Sequence, residues 1–386
     1  MLGEKYITSL GGYQTYIPPV LPPQLNYPIA TQRHIEQATH LLGQVEMCRS
    51  LLPNVNILLY GSLQREAIAS STIEDTIATP DELILFQVTH HAERSAVREV
   101  SNYSDALQWG CEQIPHRQLS VNFTCGLHER LLQDVRGEQF AGILKNRQNA
   151  IGQHSQSTIE DAVFIPSPPE RVRDLMEELE SYLQSDNAEP KVVQCALVHH
   201  QFEAIHPFLD GNGRVGRLLI VLHLMQLQLL SAPMIYPSVF FERSRQEYYQ
   251  RLQRVREVDD WIGWIDYFCR ALISACEETI KFTKTIDTLR KSLLSRPQTD
   301  VRKRASYSQV IEAFFDQPYL KVREIADRAK ITHNTVETVL EDLIREDLIM
   351  ELTGKQKGRV FACRPVLMAV FGKDIKERNM SPVPPK

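Results

Sequence analysis

The chemistry of this chain concentrates in one run, His206-Pro207-Phe208-Leu209-Asp210-Gly211-Asn212-Gly213-Arg214-Val215-Gly216-Arg217. Its glycines permit backbone conformations that turn several N–H groups toward one point. They precede an apolar-periodic segment that predicts a helix over 215–230, and a helix N-terminus attracts anions. Arg214 and Arg217 are three apart, hence on one side of that helix, and their planar permanent charges suit phosphate oxygens. Asp210 is the hard carboxylate that a magnesium ion bridging those oxygens would select. His206, with an ordinary pKa of about 6.5, is neutral enough near pH 7 to accept a proton. These residue types suit a site that holds a polyphosphate and moves a proton beside it.

Two rival readings of the same residues fail on context. Gly211, Gly213 and Gly216 have dinucleotide-binding spacing, but that fingerprint follows a strand, and 195–205 reads as a helix. The acidic residue expected about 20 positions on is also missing, because Tyr236 and Pro237 stand there. His199, His200, Glu203 and His206 match no zinc-ligand spacing and read as helix histidines flanking a core.

The elements around the run are mostly helical. Ile35, Ala38, Leu41, Leu42 and Val45 recur at helical spacing, Pro53 and Asn54 interrupt, and 62–74 resumes as a short helix. Segments 82–109, 121–136, 171–183, 192–205, 244–258 and 261–289 also read as helices. Between 142 and 169 the pattern changes. Gly152, Ser155, Ser157, Pro166, Pro168 and Pro169 surround two β-prone runs, 149–151 and 162–165, which predict a hairpin flap. The prolines of 16–23 predict an extended strap lying over the domain that follows.

At 386 residues the chain exceeds a single core. We divide it into a strap and first helices (1–110), a helical core (111–294), a linker (295–305), a small C-terminal domain (306–372) and a tail (373–386). In the small domain, 321–330 and 332–346 read as helix, turn and helix, with 348–352 and 359–363 flanking Gly354 and Gly358 as a wing. A net charge of −5 exerts no chain-wide pull on nucleic acid or anionic membranes. Residues 1–10 lack a secretory pattern, and the apolar run 218–230 is too short to span a bilayer. Seven scattered cysteines form no CxxC pair, which predicts free thiols in a reducing cytoplasm.

The run 206–217 resembles the signature of the Fic family, HPFx[DE]GNGRxxR, at every fixed position. Phe202-Glu203-Ala204-Ile205 before it, Ile151-Gly152 and 164–169 in the flap, Glu247-Tyr248-Tyr249, and Asp260-Trp261-Ile262-Gly263-Trp264 extend the likeness, as do Arg65-Glu66-Ala67 and the strap. The resemblance implies a mainly α fold, a Fic helical core with a β-hairpin flap, here followed by a winged helix. It implies an adenylyltransferase in which His206 deprotonates a Ser, Thr or Tyr hydroxyl of a target protein, or of the chain itself. That oxygen would attack the α-phosphorus of ATP. Asp210 would bind Mg2+. Gly211, Asn212 and Gly213, with Val215 and Gly216 beside them, would cradle the phosphates, and Arg214 and Arg217 would steady the leaving portion. Tyr248 and Tyr249 would border the adenine, with Arg243 in the same pocket. A superfamily relative that transfers phosphate carries Lys where this chain has Gly213, which favours nucleotidyl transfer.

Ser70-Ser71-Thr72-Ile73-Glu74-Asp75 resembles the family's inhibitory motif, [ST]xxxE[GN], with Asp75 as the departure. The resemblance implies that Glu74, on one helix face with Ser70, pairs with Arg217 and displaces the γ-phosphate. It also implies a homodimer that holds this helix in place. Asp adjusts less readily than Gly to a left-handed cap, so Asp75 predicts a weaker or differently ended brake. In the C-terminal domain, Glu337, Glu341, Asp342 and Glu346 outweigh Arg345 on the second helix. His333, Asn334, Lys355, Lys357 and Arg359 are the few groups suited to DNA, which makes protein docking the better expectation. The alternative functions are a nucleotide-sensing transcription regulator and a transferase of another nucleotide or of phosphate.

Overall fold

A computed structural model describes residues 5–89, 94–152, 162–296, 301–354 and 358–372. Ser155 and Ser157 of the flap, Pro297, the wing residues Lys355 and Lys357, and the tail 373–386 lie outside the described residues.

The chain opens as a two-stranded antiparallel ribbon, β1 (Tyr6–Thr8) and β2 (Gln14–Tyr16). The proline strap follows it and is tied to the core by Gln201 Nε2, which donates to Pro19 O. Helices α1 (Ile29–Cys48), α2 (Asn56–Ile73), α3 (Pro80–Thr89), α4 (Ser95–Gln113) and α5 (Val121–Leu131) come next. The apolar stripe of α1, Ile35, Ala38, Leu42 and Val45, is buried, and this helix packs along the long α11 (Trp261–Leu294). Ser120 caps α5 by accepting from the Phe123 amide, and Asp260 caps α11 by accepting from Gly263.

The central pair is α7 (Lys191–Ile205) and α8 (Asn212–Gln226), joined by the motif loop. Every residue from Val192 to Ile205 is buried, so α7 is enclosed on all sides. Around the pair stand α6 (Pro169–Gln184), α9 (Ser238–Arg243), α10 (Arg245–Val258) and α11, with Trp264 Nε1 donating to Ala196 O across the core. The C-terminal unit comprises α12 (Val301–Asp316), β3 (Tyr319–Lys321), α13 (Val322–Ala329), α14 (His333–Arg345), β4 (Ile349–Glu351), β5 (Val360–Cys363) and α15 (Arg364–Phe371). Its strands form an antiparallel sheet in the order β3-β5-β4. Among the described residues, no helix is long and apolar enough to cross a membrane.

Several expectations are corrected. The segment 82–109 is two helices, not one. Helices α3 and α4 pack on each other, and no Gly or Pro between 89 and 95 marks the division in the sequence. The helix expected over 121–136 stops at Leu131, ahead of the left-handed Asp134 and Gly137. The motif helix starts at Asn212 rather than 215 and ends before the left-handed Gln228. The hairpin flap is kept: Ile151 and Phe164 form its antiparallel bridge, and 153–161 lie outside the described residues. Helix α12 begins inside the stretch read as a linker, since Lys and Arg are good helix formers. The C-terminal unit is not detached: Tyr307, Phe314, Leu367 and Phe371 belong to the same buried apolar cluster as the core helices.

Candidate active site

Helix α7 ends in a residue whose backbone is unusual for its type. His206 adopts φ 53°, ψ 62°, the left-handed region, which turns the chain sharply out of the helix. The next turn is stapled by Asn212, whose Oδ1 accepts from Phe208 N (2.8 Å) and whose Nδ2 donates to Phe208 O (2.8 Å). His128 supports the loop from α5. Gly142 N donates to its Nδ1 (2.9 Å), its Nε2 donates to Asp210 O (3.0 Å), and its ring stacks on Phe208 at 3.8 Å. Gly211 (φ 75°) then leads into α8, so the free N–H groups of that helix open beside the Asp210 side chain, which is half exposed.

His206 sits among cations and near one carboxylate. Burial pushes its pKa down to about 3, and the charges of Lys145 and Arg256 push the same way, so the imidazole is neutral at pH 7. Its Nδ1 lies 3.9 Å from Glu203 Oε2. Burial raises the Glu203 carboxyl to about 7 against the pull of Arg217 and Arg256. Lys145 is itself lowered to about 7 by burial.

Both motif arginines are engaged by carboxylates from the N-terminal helices. Arg217 is fully buried. Its Nε donates to Ser70 Oγ, and one terminal nitrogen donates to Ser70 O and Glu74 Oε1, each at 2.8 Å. The Glu74 carboxylate also rests on Gly213, where an added Cβ would collide with its Oε1. Glu74 therefore covers the first turn of α8, where a phosphate would be drawn. Arg214 donates to Glu99 Oε2 (2.9 Å) on α4, and Thr76, just past α2, donates to the same oxygen (3.5 Å). Asp75 is left-handed (φ 60°), and its two oxygens accept from Arg245 at 2.7 and 3.0 Å.

Other expected site residues are placed differently. Two hydrogen bonds to Phe208 turn the Asn212 side chain into the loop it shapes, and one N–H of its Nδ2 lies outside that pair. Val215 faces the core. Gly216 is where α7 and α8 touch, since a Cβ there would meet Glu203 and Phe202, and its carbonyl accepts from His199 Nδ1 (3.0 Å). Tyr248 is buried, and its hydroxyl donates to His199 Nε2 (2.8 Å). Only its neighbour Tyr249 is exposed (40%), with its hydroxyl directed at Ile73 O (3.4 Å). Arg243 pairs with Glu278 of α11, apart from the motif. Glu99, Lys145, Asn149, His128 and Arg256 escaped the sequence reading, because nothing in their local pattern marks them.

Among the described residues, no three His, Cys, Asp or Glu side chains gather as a metal cluster. Magnesium is commonly held by one or two carboxylates with phosphate and water supplying the rest. Asp210, exposed beside the open amides of α8, fits that mode.

The Fic/DOC family pattern matches residues 118–224, and the Fic/DOC family N-terminal pattern matches 32–112. The chain is 36% identical over 103 residues to a probable protein adenylyltransferase of Aquifex aeolicus, covering 27% of this chain and 30% of that one. It is 32% identical over 157 residues to protein adenylyltransferase Fic of Drosophila mojavensis, covering 40% of this chain and 27% of that one. The chain thus spans less than a third of the length of these relatives. A Fic family protein from Desulfovibrio desulfuricans G20 shares the fold, with TM-score 0.59 and 19% identity, over 89% of this chain and 98% of that one. A Fic domain containing signaling protein from Bacteroides thetaiotaomicron VPI-5482 has TM-score 0.53 and 20% identity, over 65% of this chain and 97% of that one.

Proposed function

Because the chain carries the Fic/DOC domain at 118–224 and that family's N-terminal region at 32–112, we propose that it transfers AMP from ATP to a protein hydroxyl and is held off by Glu74. The observation that carries this reading is the seat of Glu74. It occupies Arg217 and the first turn of α8, while His206 stands intact and neutral beside that turn. A protein that only sensed a nucleotide would need neither the base nor a carboxylate to keep the phosphate away.

In the reaction, the neutral imidazole of His206 takes the proton of the target hydroxyl. The hydroxyl oxygen forms a bond to the α-phosphorus, the bond from that phosphorus to the bridging oxygen breaks, and pyrophosphate leaves. Positioning and preorganised charge would supply most of the acceleration. Arg214 and Arg217 neutralise the departing phosphates, the amides at the start of α8 hold them, and Tyr249 is the exposed aromatic near Glu74 and Arg217. Magnesium bound through Asp210 would neutralise phosphate oxygens.

The reading is tested with ATP labelled on the α- or γ-phosphate and the wild type, Glu74→Gly and His206→Ala proteins, with and without cell lysate. A hydrogen bond to a charged group is worth roughly 1.5–3 kcal/mol, so Glu74→Gly should raise α-label on protein by about 10-fold or more. His206→Ala should abolish it. Retention of γ-label alone would mean phosphate transfer. Absence of label in every variant would turn the reading toward a nucleotide sensor.

A further inference from the structure

Lys145 is 3% exposed and forms no ion pair among the described residues, an expensive condition for an ammonium. An apolar side chain would fill the space at lower cost, so a buried cation beside the candidate base calls for a reason. Its contacts supply one. The Lys145 backbone amide donates to Pro207 O (2.8 Å), and Nζ donates to Ile205 O (3.4 Å) and to Asn149 Oδ1 (2.7 Å). Asn149, thus oriented, donates from Nδ2 to Phe208 O (2.7 Å), with His206 O at 3.5 Å from the same nitrogen. Two residues four apart therefore reach four consecutive carbonyls, 205 to 208, on both sides of the left-handed His206.

Helix α7 ends there, and the last carbonyls of a helix have no partners within it. A cation at a helix C-terminus is favoured by the aligned peptide dipoles. The bracket thus offsets the left-handed turn at His206, which is strained for a residue other than glycine. It also connects that turn to the chain entering the flap. Asn149 is two residues before Ile151, which bridges to Phe164, and Gln148 Nε2 donates to Pro166 O (3.0 Å) on the returning side.

We propose that Lys145 and Asn149 are positioning residues that hold His206 and the flap edge in one register, so that a hydroxyl presented along the flap meets the base. The proposal rests on the AMP-transfer reading. It concerns a step that ATP binding does not report, because neither residue touches the α8 amides, Arg214 or Arg217.

The test uses the full chain in the Glu74→Gly background. Rates of α-label transfer are measured over a range of ATP concentrations for Lys145→Met, Asn149→Ala and Lys145→Arg. Misplacing a reacting group by about 1 Å costs about 100-fold. Lys145→Met and Asn149→Ala should therefore lower kcat by about 10- to 100-fold and leave the KM for ATP within about two-fold. Lys145→Arg, which keeps a donor at the helix end, should recover part of the loss. An unchanged kcat in folded variants overturns the proposal, and so does a KM for ATP that rises in step with the loss. Amide exchange of segment 203–212 gives a second measure, expected to quicken about 10-fold in Asn149→Ala while distant segments keep their protection. Should Glu74→Gly itself transfer no label, the AMP-transfer reading falls, and exchange still decides the bracket: unchanged protection overturns it. If Lys145→Met fails to fold, Asn149→Ala and Asn149→Asp carry both measurements, since Asp keeps the acceptor for Lys145 and loses the donor to Phe208 O.

Discussion

Arg217 illustrates how one buried residue can serve two opposed purposes. Its guanidinium is permanently charged and wholly enclosed, so it must always have partners. In this state Ser70 and Glu74 are those partners, and a nucleotide's terminal phosphate would have to replace the carboxylate. Asp75 modifies the expectation of a weakened brake. Its left-handed backbone costs Asp about 1 kcal/mol relative to Gly, while its exposed ion pair to Arg245 returns roughly 0.2–1 kcal/mol. The two effects are of similar size and opposite sign. Asp75→Gly should therefore leave the basal labelling rate within about two-fold of wild type, whereas Ser70→Ala, which removes the acceptor of Arg217 Nε, should raise it several-fold. Initial rates of α-label incorporation check both, and a large rise in Asp75→Gly would show that the ion pair is the principal latch.

The pair α7 and α8 has its own signature, a set of buried neutral imidazoles. Burial lowers His199, His206 and His223 to about 3, and His200 well below its ordinary value. His128 beneath the loop falls to about 4 for the same reason. In the unfolded chain these groups take up protons near pH 6.5. Below that pH the unfolded state binds more protons than the folded one, so their contribution is complete above pH 6.5 and is lost as pH falls. Glu203 acts in the opposite sense. Raised to about 7, it favours the folded state at low pH and loses that contribution between its unfolded value, 4.5, and 7. The histidines outnumber it, and each is worth roughly 1.4 kcal/mol per pH unit. Stability to urea should therefore fall steeply from pH 6 to pH 4.5, and His223→Gln should make the fall shallower by about one group's share. A urea midpoint that is flat over this range would contradict the neutral, buried assignment.

For the whole molecule, the consequential arrangement is the contact between the C-terminal unit and α2. The far end of α2 carries Ser70 and Glu74; the near end is gripped by elements more than two hundred residues away. Arg65 donates to Ala369 O (3.1 Å) and Val370 O (2.6 Å) at the C-terminus of α15, where a cation is favoured. Gly61 lets Phe282 and Val370 approach the helix, Tyr60 packs edge-on against Tyr319 and Phe371, and Asn54 donates to Asp316 (2.6 Å). Loosening this grip should loosen the brake. Arg65→Ala is expected to raise basal labelling by about 3- to 10-fold, corresponding to roughly 1 kcal/mol of the lost charged hydrogen bonds, and to add little in the Glu74→Gly background. Equal rates in Arg65→Ala and wild type would show that α2 holds its position without the C-terminal unit. Helix α14 of that unit is acidic, and the wing's Arg359 is paired with its Glu337 (3.2 Å). That pairing leaves less free positive charge for DNA.

The amino-acid sequence by itself determined what acts locally. The motif run, the helical spacing of Ser70 and Glu74, and the apolar stripes of α1, α6 and α11 are all matters of residue type and short separation, which chain geometry translates directly into faces and turns. Tertiary structure alone decided the partners. Glu99 meets Arg214 across a separation of 115 residues and Arg65 meets Val370 across 305, and no periodicity encodes such meetings. It also gave Asn212 a staple's role in the loop, because only the folded chain reveals its two hydrogen bonds to Phe208. The division between α3 and α4 escaped for a related reason: no Gly or Pro between 89 and 95 marks it, and only the packing of the two helices on each other separates them.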